Sequence, residues 1–246
     1  MALRWPQLRG AGRTPRLDRR KDSAWRRWAV AGVILLLLAG LRFTTPWQQV
    51  EGRSFDLLST IAQPVPEQPG AVVVAIDEPS FSALQRQWPW PRDIHAKLIE
   101  ALRAEGAKVI GFDVVFGEPG QGDGELASAA GPDTVFAIDE SLIETPQASS
   151  LIRTEPLPEF TAFGAQAGVA SVHMDGDGVL RQMPSYPDSL PRMIARVSGA
   201  KPAEPDNSRP RLIQYFGPAN SYPRVSYYQA LEPRKYLPPE IGRAHV

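Results

Sequence analysis

Two adjacent acids, Asp77 and Glu78, close the apolar run AVVVAI of residues 71–76. Carboxylates placed where a buried strand emerges can exchange protons with a substrate, hold a cation or line a ligand mouth. Asp113 lies inside a second such run, KVIGFDVVF, residues 108–116. Adjacent parallel strands would bring it toward Asp77 at the C-terminal edge of a sheet, where ligands of α/β proteins bind. Its mid-strand position favours a plainer reading, a buried carboxylate held by a structural hydrogen bond or ion pair; display at a kink is the remaining option. Arg92 opens a predicted helix, where a cation meets the positive end of the helix dipole at a cost of roughly 0.3–1 kcal/mol unless an anion compensates. Asp93, Asp77, Glu78 or an anionic ligand could supply that charge. Trp88 and Trp90 alternate with Pro89 and Pro91, which stiffen the segment; the rings suit core anchoring first and an aromatic ligand wall second.

Other catalytic vocabulary is sparse. There is no cysteine, hence no disulfide, thiolate metal site or cysteine nucleophile, and the three histidines, at 95, 173 and 245, stand apart. Phosphate-binding, serine-hydrolase and zinc-protease motifs are absent. Asp175 and Asp177 in DGDG resemble the start of a calcium loop, but Val179 falls where a third ligand belongs and Tyr186 where the twelfth-position Glu would be. A tight turn suits Asp-Gly-Asp-Gly better, leaving these two acids as weak metal candidates. No cofactor is expected.

Positioning these residues requires an α/β fold. The continuous apolar runs 71–76 and 108–116 read as strands buried on both faces, and residues 91–105 between them carry a helical apolar stripe ending at Gly106, a suitable cap. Strand, helix and strand make a βαβ unit with a largely parallel sheet. A helix over 123–131 with Asp123 as N-cap, a strand over 134–139, helices over 191–199 and 225–232, and a strand over 211–216 follow. Residues 140–166, rich in Pro, Ser and Glu, read as a long surface excursion, and 167–183 as an added hairpin.

Charge divides the chain. Residues 1–27 hold nine Lys or Arg against Asp18 and Asp22, whereas residues 43–246 hold 17 against 25 acids, a net of −8. The acidic body offers no basic stripe for a phosphate backbone, so nucleic acid is not expected as a partner. Residues 28–41, WAVAGVILLLLAGL, are uncharged but rise only about 21 Å as a helix against a hydrocarbon core of about 30 Å. Adding residues up to 49, with Arg42 snorkelling and Trp28 and Trp47 at the interfaces, lengthens the segment enough to span. The expectation is a basic cytoplasmic segment at 1–27, a transmembrane anchor at 28–49 and an exported α/β domain at 50–240. A cleavable signal peptide competes with the anchor, though a small-residue cleavage site is lacking.

The blocks VVVAIDEPSFSALQRQWPWPRD, KVIGFDVVF, DGELASAA, DGDGVLRQ, IQYFGP and VSYYQAL, taken in order, resemble the type-two CHASE domain, the cyclase and histidine-kinase-associated sensing extracellular domain. The resemblance covers residues 50 to about 240. It implies a bacterial exported sensor flanked by transmembrane helices and coupled to a cytoplasmic cyclase or kinase, without chemistry of its own. It marks Asp77, Trp88, Pro89, Trp90, Pro91, Arg92 and Asp113 as the recurrent positions, and Glu78 joins them as a candidate for binding an unidentified ligand. Residues 241–246, IGRAHV, resemble one reading frame of a sequencing adapter and are expected to be non-native, with the output module beyond a truncation. The expected location is the bacterial inner membrane with a periplasmic sensor, and the expected partners are the membrane and a second copy in a homodimer. Two readings compete: an exported hydrolase or metal-dependent enzyme using Asp77, Glu78 and Asp113, and a tethered module binding a partner through Tyr222, Tyr227 and Tyr228.

Overall fold

The computed structural model describes residues 19–41, 43–61, 63–64, 70–145, 147–202 and 211–236, with only the backbone of 19–24 and 144. The expected non-native stretch 241–246 lies outside the described residues. Contacts divide the chain after Leu57 into two units.

The first unit is helical. Helix α1 runs Arg19–Leu41 and α2 runs Thr45–Ile61, crossing the unit boundary. The expected continuous anchor over 28–49 is therefore divided between α1, ending at Leu41, and α2, beginning at Thr45. Pro46 suits a helix start: it has no N–H to bond the carbonyl four residues back, so it cannot continue α1 through this point but fits the first turn of α2. No single described helix is long and apolar enough to cross a membrane; Trp25–Leu41 and Thr45–Ile61 pass that test only together, as a bent pair. Leu35, Leu36, Leu37 and Leu38 are all exposed.

The second unit is mixed α/β. Strand β1 (Val73–Ala75) leads to α3 (Glu78–Leu84), α4 (Arg92–Ala104), β2 (Ile110–Val115), α5 (Asp123–Ala129), β3 (Thr134–Glu144) and β4 (Ser149–Thr154). Then come α6 (Pro158–Thr161), β5 (Gln166–Val169), α7 (Leu190–Val197), β6 (Arg224–Ser226), α8 (Tyr227–Leu231) and α9 (Pro233–Tyr236). The expected parallel arrangement is present but distributed differently. The first half of β3 pairs in parallel with both β2 and β5, and its second half pairs antiparallel with β4. β1 does not join β2; it forms its own parallel ladder with β6, Val74 opposite Val225. An apolar run shows that a strand is covered, not which neighbour covers it, and β1 is only three residues long with Val73 half exposed.

Alternation along β3 makes two cores. Phe136 faces α4, α5 and α6 within a cluster holding Ile99, Leu126 and Phe160, while Val135 and Ala137 face α7. Helix α7 lies so close that a Cβ on Gly111 would fall 2.5 Å from Ile194 Cδ1, and one on Gly168 2.8 Å from Leu190 Cα. At Gly168 the neighbour is backbone, so only glycine admits that approach, whereas at Gly111 the tip of the Ile194 side chain would have to shift. Arg103 of α4 clamps Asp133 with two 2.7 Å hydrogen bonds, tying the helix to the start of β3.

Several expected elements differ. Residues 140–154 form most of a hairpin, β3–β4, where a structureless excursion was expected; the β-branched and leucine residues there are exposed, which hides the buried-strand signature. The hairpin expected over 167–183 keeps its turn, with Gly178 N–H donating to Asp175 O at 2.8 Å, but its arms part. The first arm is β5 in the parallel sheet, and the second runs beside 211–213 through a single bridge, Gln182 with Leu212, which is all that remains of the strand expected at 211–216. Val225 and Ser226, expected as helix, are strand.

Candidate functional site

Asp77 is the N-cap of α3. Its Oδ1 accepts from Ser80 N–H at 3.2 Å and from Ser80 Oγ at 2.6 Å, and its Oδ2 accepts from Ser226 Oγ at 2.8 Å. Partial burial alone would raise its pKa, but the bonds from Ser80 and Ser226 outweigh that, with help from Arg224, and hold the carboxyl below its usual value. The same serines continue the tie: Tyr228 N–H donates to Ser80 Oγ at 3.3 Å, and Ser226 opens α8 with a capping box completed by Gln229. Asp77 thus joins the first strand of the α/β unit to its last.

Tyr227, next along, reaches the centre of the unit. Its hydroxyl shares a 2.6 Å hydrogen bond with His95 Nδ1 on α4, and both residues are almost wholly buried. Trp90 contacts the Tyr227 ring at 4.9 Å, and Trp88 and Phe116 meet His95 edge-on at 6.1 and 5.2 Å. Burial, reinforced by the positive charge of Arg92, lowers the imidazole pKa to about 4, and burial raises that of the Tyr227 phenol. The buried pair is therefore neutral at ordinary pH.

Arg92 finds its anion in the following loop. Its Nε lies 3.1 Å from Asp123 Oδ1, its Nη2 donates to Glu118 O at 2.6 Å, and its backbone N–H donates to Gln121 O at 2.7 Å. The guanidinium carbon lies 4.8 Å from the centre of the Phe116 ring and 5.7 Å from that of Phe160, so aromatic faces cover the part of the cation that lacks hydrogen bonds. Asp123, expected as an N-cap, is the first residue of α5 instead; Gly122, at φ 87°, takes the cap position, and the freed carboxylate accepts from Gly120 N–H at 2.7 Å. Neither Asp77 nor Glu78 supplies the charge, and Asp93 pairs with Lys97 at 2.9 Å.

The candidate ligand residues accordingly separate into different roles. Trp90 is a core anchor, its indole N–H donating to Arg86 O at 3.2 Å; Trp88, joined to Pro89 by a cis peptide bond, remains 38% exposed. Glu78 is exposed. Asp113 corrects the expectation of a buried, partnered carboxylate: it sits in a bulge where the β2–β3 register shifts between Phe112 and Val115, and its side chain is exposed. Asp77 and Asp113 do not pair. A groove of about 620 Å³ between α4 and α5 is lined by Asp93, Lys97, Glu100 and Glu125 among others, none of the six predicted positions.

The calcium candidates are engaged. Arg181, with its side chain nearly buried, donates at 2.8 Å to Asp175 Oδ2 and holds both oxygens of Asp177 at 2.8 and 2.7 Å. That pairing draws the Asp177 pKa down to about 2 and places a guanidinium where a cation would have to sit. Among the described residues no group of three or more Asp, Glu or His is placed to hold a metal ion. Tyr227, offered as a surface contact by the partner-binding reading, is core; Tyr222 is exposed and Tyr228 half-buried.

His95 was the residue sequence reasoning passed over. Its place among Ile94, Ala96, Leu98 and Ile99 on the apolar stripe of α4 was the available signal, since an imidazole inside such a stripe needs a buried partner. The match to the family model of the CHASE2 domain, over residues 33–245, shows that the chain belongs to that family. CHASE2 domains are extracellular sensor domains of signalling receptors, sensory rather than catalytic. Searches of curated proteins and of solved structures found no match.

Proposed function

We propose that this chain is the ligand-sensing portion of a bacterial inner-membrane receptor, with residues 1–27 in the cytoplasm, an anchor beginning near residue 28, and the α/β domain of residues 50–240 in the periplasm. In the complete receptor it acts on a cytoplasmic cyclase or kinase, as part of a homodimer. The observation that carries the reading is the parallel ladder of β1 with β6, reinforced by the Asp77–Ser226 bond. It sets the first and last described strands of the domain side by side, so the segments that enter and leave the domain share one ladder. A change in that ladder would be felt by both flanking segments at once. A signal shifts the receptor only through unequal affinity for two arrangements, and the polar ties between α3, α4 and α8 are the contacts whose rearrangement would distinguish them.

Trp88, Glu78 and Asp113, the predicted positions that remain exposed, are the accessible candidates for contact with the signal. The basic leader before residue 28 supports this orientation. Fusing alkaline phosphatase or a green fluorescent reporter after Tyr236 tests it. Phosphatase activity without fluorescence is the expected result; a fluorescent, phosphatase-negative fusion places the domain in the cytosol and overturns the proposal.

A further inference from the structure

The second half of β3 leaves the core with β4 as a projecting arm. Leu142 and Leu151 stand directly opposite each other on one face, 59% and 63% exposed, and Ile143 and Ile152 on the other face are 46% and 47% exposed. The arm is closed by Thr145, whose N–H and Oγ1 both donate to Ala148 O at 2.8 Å. Among the described residues β4 ends its sheet, with β3 on one side and no strand on the other. Sheet edges that stay single are guarded by lysine, proline or a bulge, because an unguarded edge pairs with the next one it meets. Residues 149–152, Ser-Ser-Leu-Ile, carry none of these.

Charge limits what can lie there. The single charge of β4, Arg153, is already matched within the chain by Glu140, Glu155 and Asp188 at 3.4, 3.0 and 2.6 Å. The edge offers a charged partner no counter-ion. It offers an identical edge no repulsion. Two copies of an antiparallel strand are related by a twofold axis normal to the sheet, which keeps each face on its own side, so odd positions meet odd ones. Centring the axis on Leu151 sets Leu151 against the second copy's Leu151, Ser150 against its Ile152 and Ser149 against its Arg153. One face then carries an unbroken row of four leucines, Leu142, Leu151 and their two counterparts, and neighbouring pairs of this kind are what stabilise a sheet.

We propose that β4 pairs edge to edge with β4 of a second copy of this chain, antiparallel and centred on Leu151. A single strand edge buries less than the ~800 Å² per partner of a standard interface, so the pairing gains its strength from confinement of both copies to one membrane, which raises their effective concentration. That last point rests on the receptor reading; the register does not.

The chain has no cysteine, so single thiols report the register directly. Leu151→Cys, Ser149→Cys and Leu142→Cys are exposed substitutions, each made in the full chain and oxidised in membranes, with a short bifunctional thiol reagent in parallel. In the proposed register residue 149 lies about 13 Å from its counterpart along the strands, and residue 142 about 14 Å away across three strand spacings, both outside disulfide reach. Leu151→Cys is expected to give most of its chain as a disulfide-linked dimer, at least fivefold more than either other variant. Equal cross-linking at all three positions, none at residue 151, or a residue 151 adduct to another protein overturns the proposal. Cross-linking specific to residue 151 in a chain whose reporter fusion is cytosolic would keep the pairing and discard the receptor topology.

Discussion

Ser226 Oγ donates to Asp77 Oδ2 across 2.8 Å, joining two residues 149 positions apart in the chain. The bond spans the β1–β6 ladder and lies between two helix starts, because Asp77 caps α3 and Ser226 caps α8. One carboxylate therefore serves three segments: the first strand, the first helix of the α/β unit and the last strand.

Asp77→Ala is expected to destabilise the α/β unit by about 1–3 kcal/mol, combining the loss of an N-cap with that of a charge-assisted hydrogen bond. Ser226→Ala should cost less, and the double variant should cost less than the two single effects added, because both lose the same bond. Urea unfolding followed by tryptophan fluorescence measures all three. Additive effects would show that the two residues act separately.

His95 predicts a pH dependence. Its folded pKa, about 4, lies below its unfolded value of 6.5, so between these limits the unfolded chain holds more protons. Stability is complete above pH 6.5 and falls as pH drops toward 4, by on the order of 3 kcal/mol in all. Asp77 adds a second loss at lower pH, because its depressed carboxyl pKa contributes stability that disappears only below the ordinary carboxylate range. His95→Gln should flatten the first phase while leaving the second, as read from the unfolding midpoint from neutral pH down to below the ordinary carboxylate range.

Arg92→Lys should not fully restore what Arg92→Met removes. A lysine can reach Asp123 or the Glu118 carbonyl but not both in the plane that also covers Phe116. Arg92→Met leaves the Asp123 carboxylate, 15% exposed, short of its partner, and a loss of about 1–3 kcal/mol is expected, with Arg92→Lys recovering only part of it. Asp123→Asn should recover part of the Arg92→Met loss, since the uncompensated charge is then gone; a double-variant cycle by thermal unfolding tests this.

Much of the fold was legible because burial leaves a periodic trace. The stripe Ile94, Leu98, Ala101 and Leu102 and the cap at Gly106 defined α4, and the run TVFAI defined the buried half of β3. The β1–β6 ladder was not legible, because Val74 and Val225 lie 151 positions apart and nothing local to either specifies the other. The site was half legible. Arg92 announced a missing anion through its place at the head of a helix, and the anion exists; that it is Asp123 depends on the path of residues 118–122, which Gly120 and Gly122 allow by admitting the loop against the guanidinium and the helix start. Asp113 misled because a bulge turns a residue out of a strand that its neighbours describe as buried.

Strand β3 runs unbroken from Thr134 to Glu144, half of it between two layers of helix and half in solvent. Eleven residues of strand extend about 36 Å, with no loop between the immersed part and the free part to absorb motion. The free half is thus joined to the buried half, and to Phe136 within it, by continuous strand backbone rather than by a hinge.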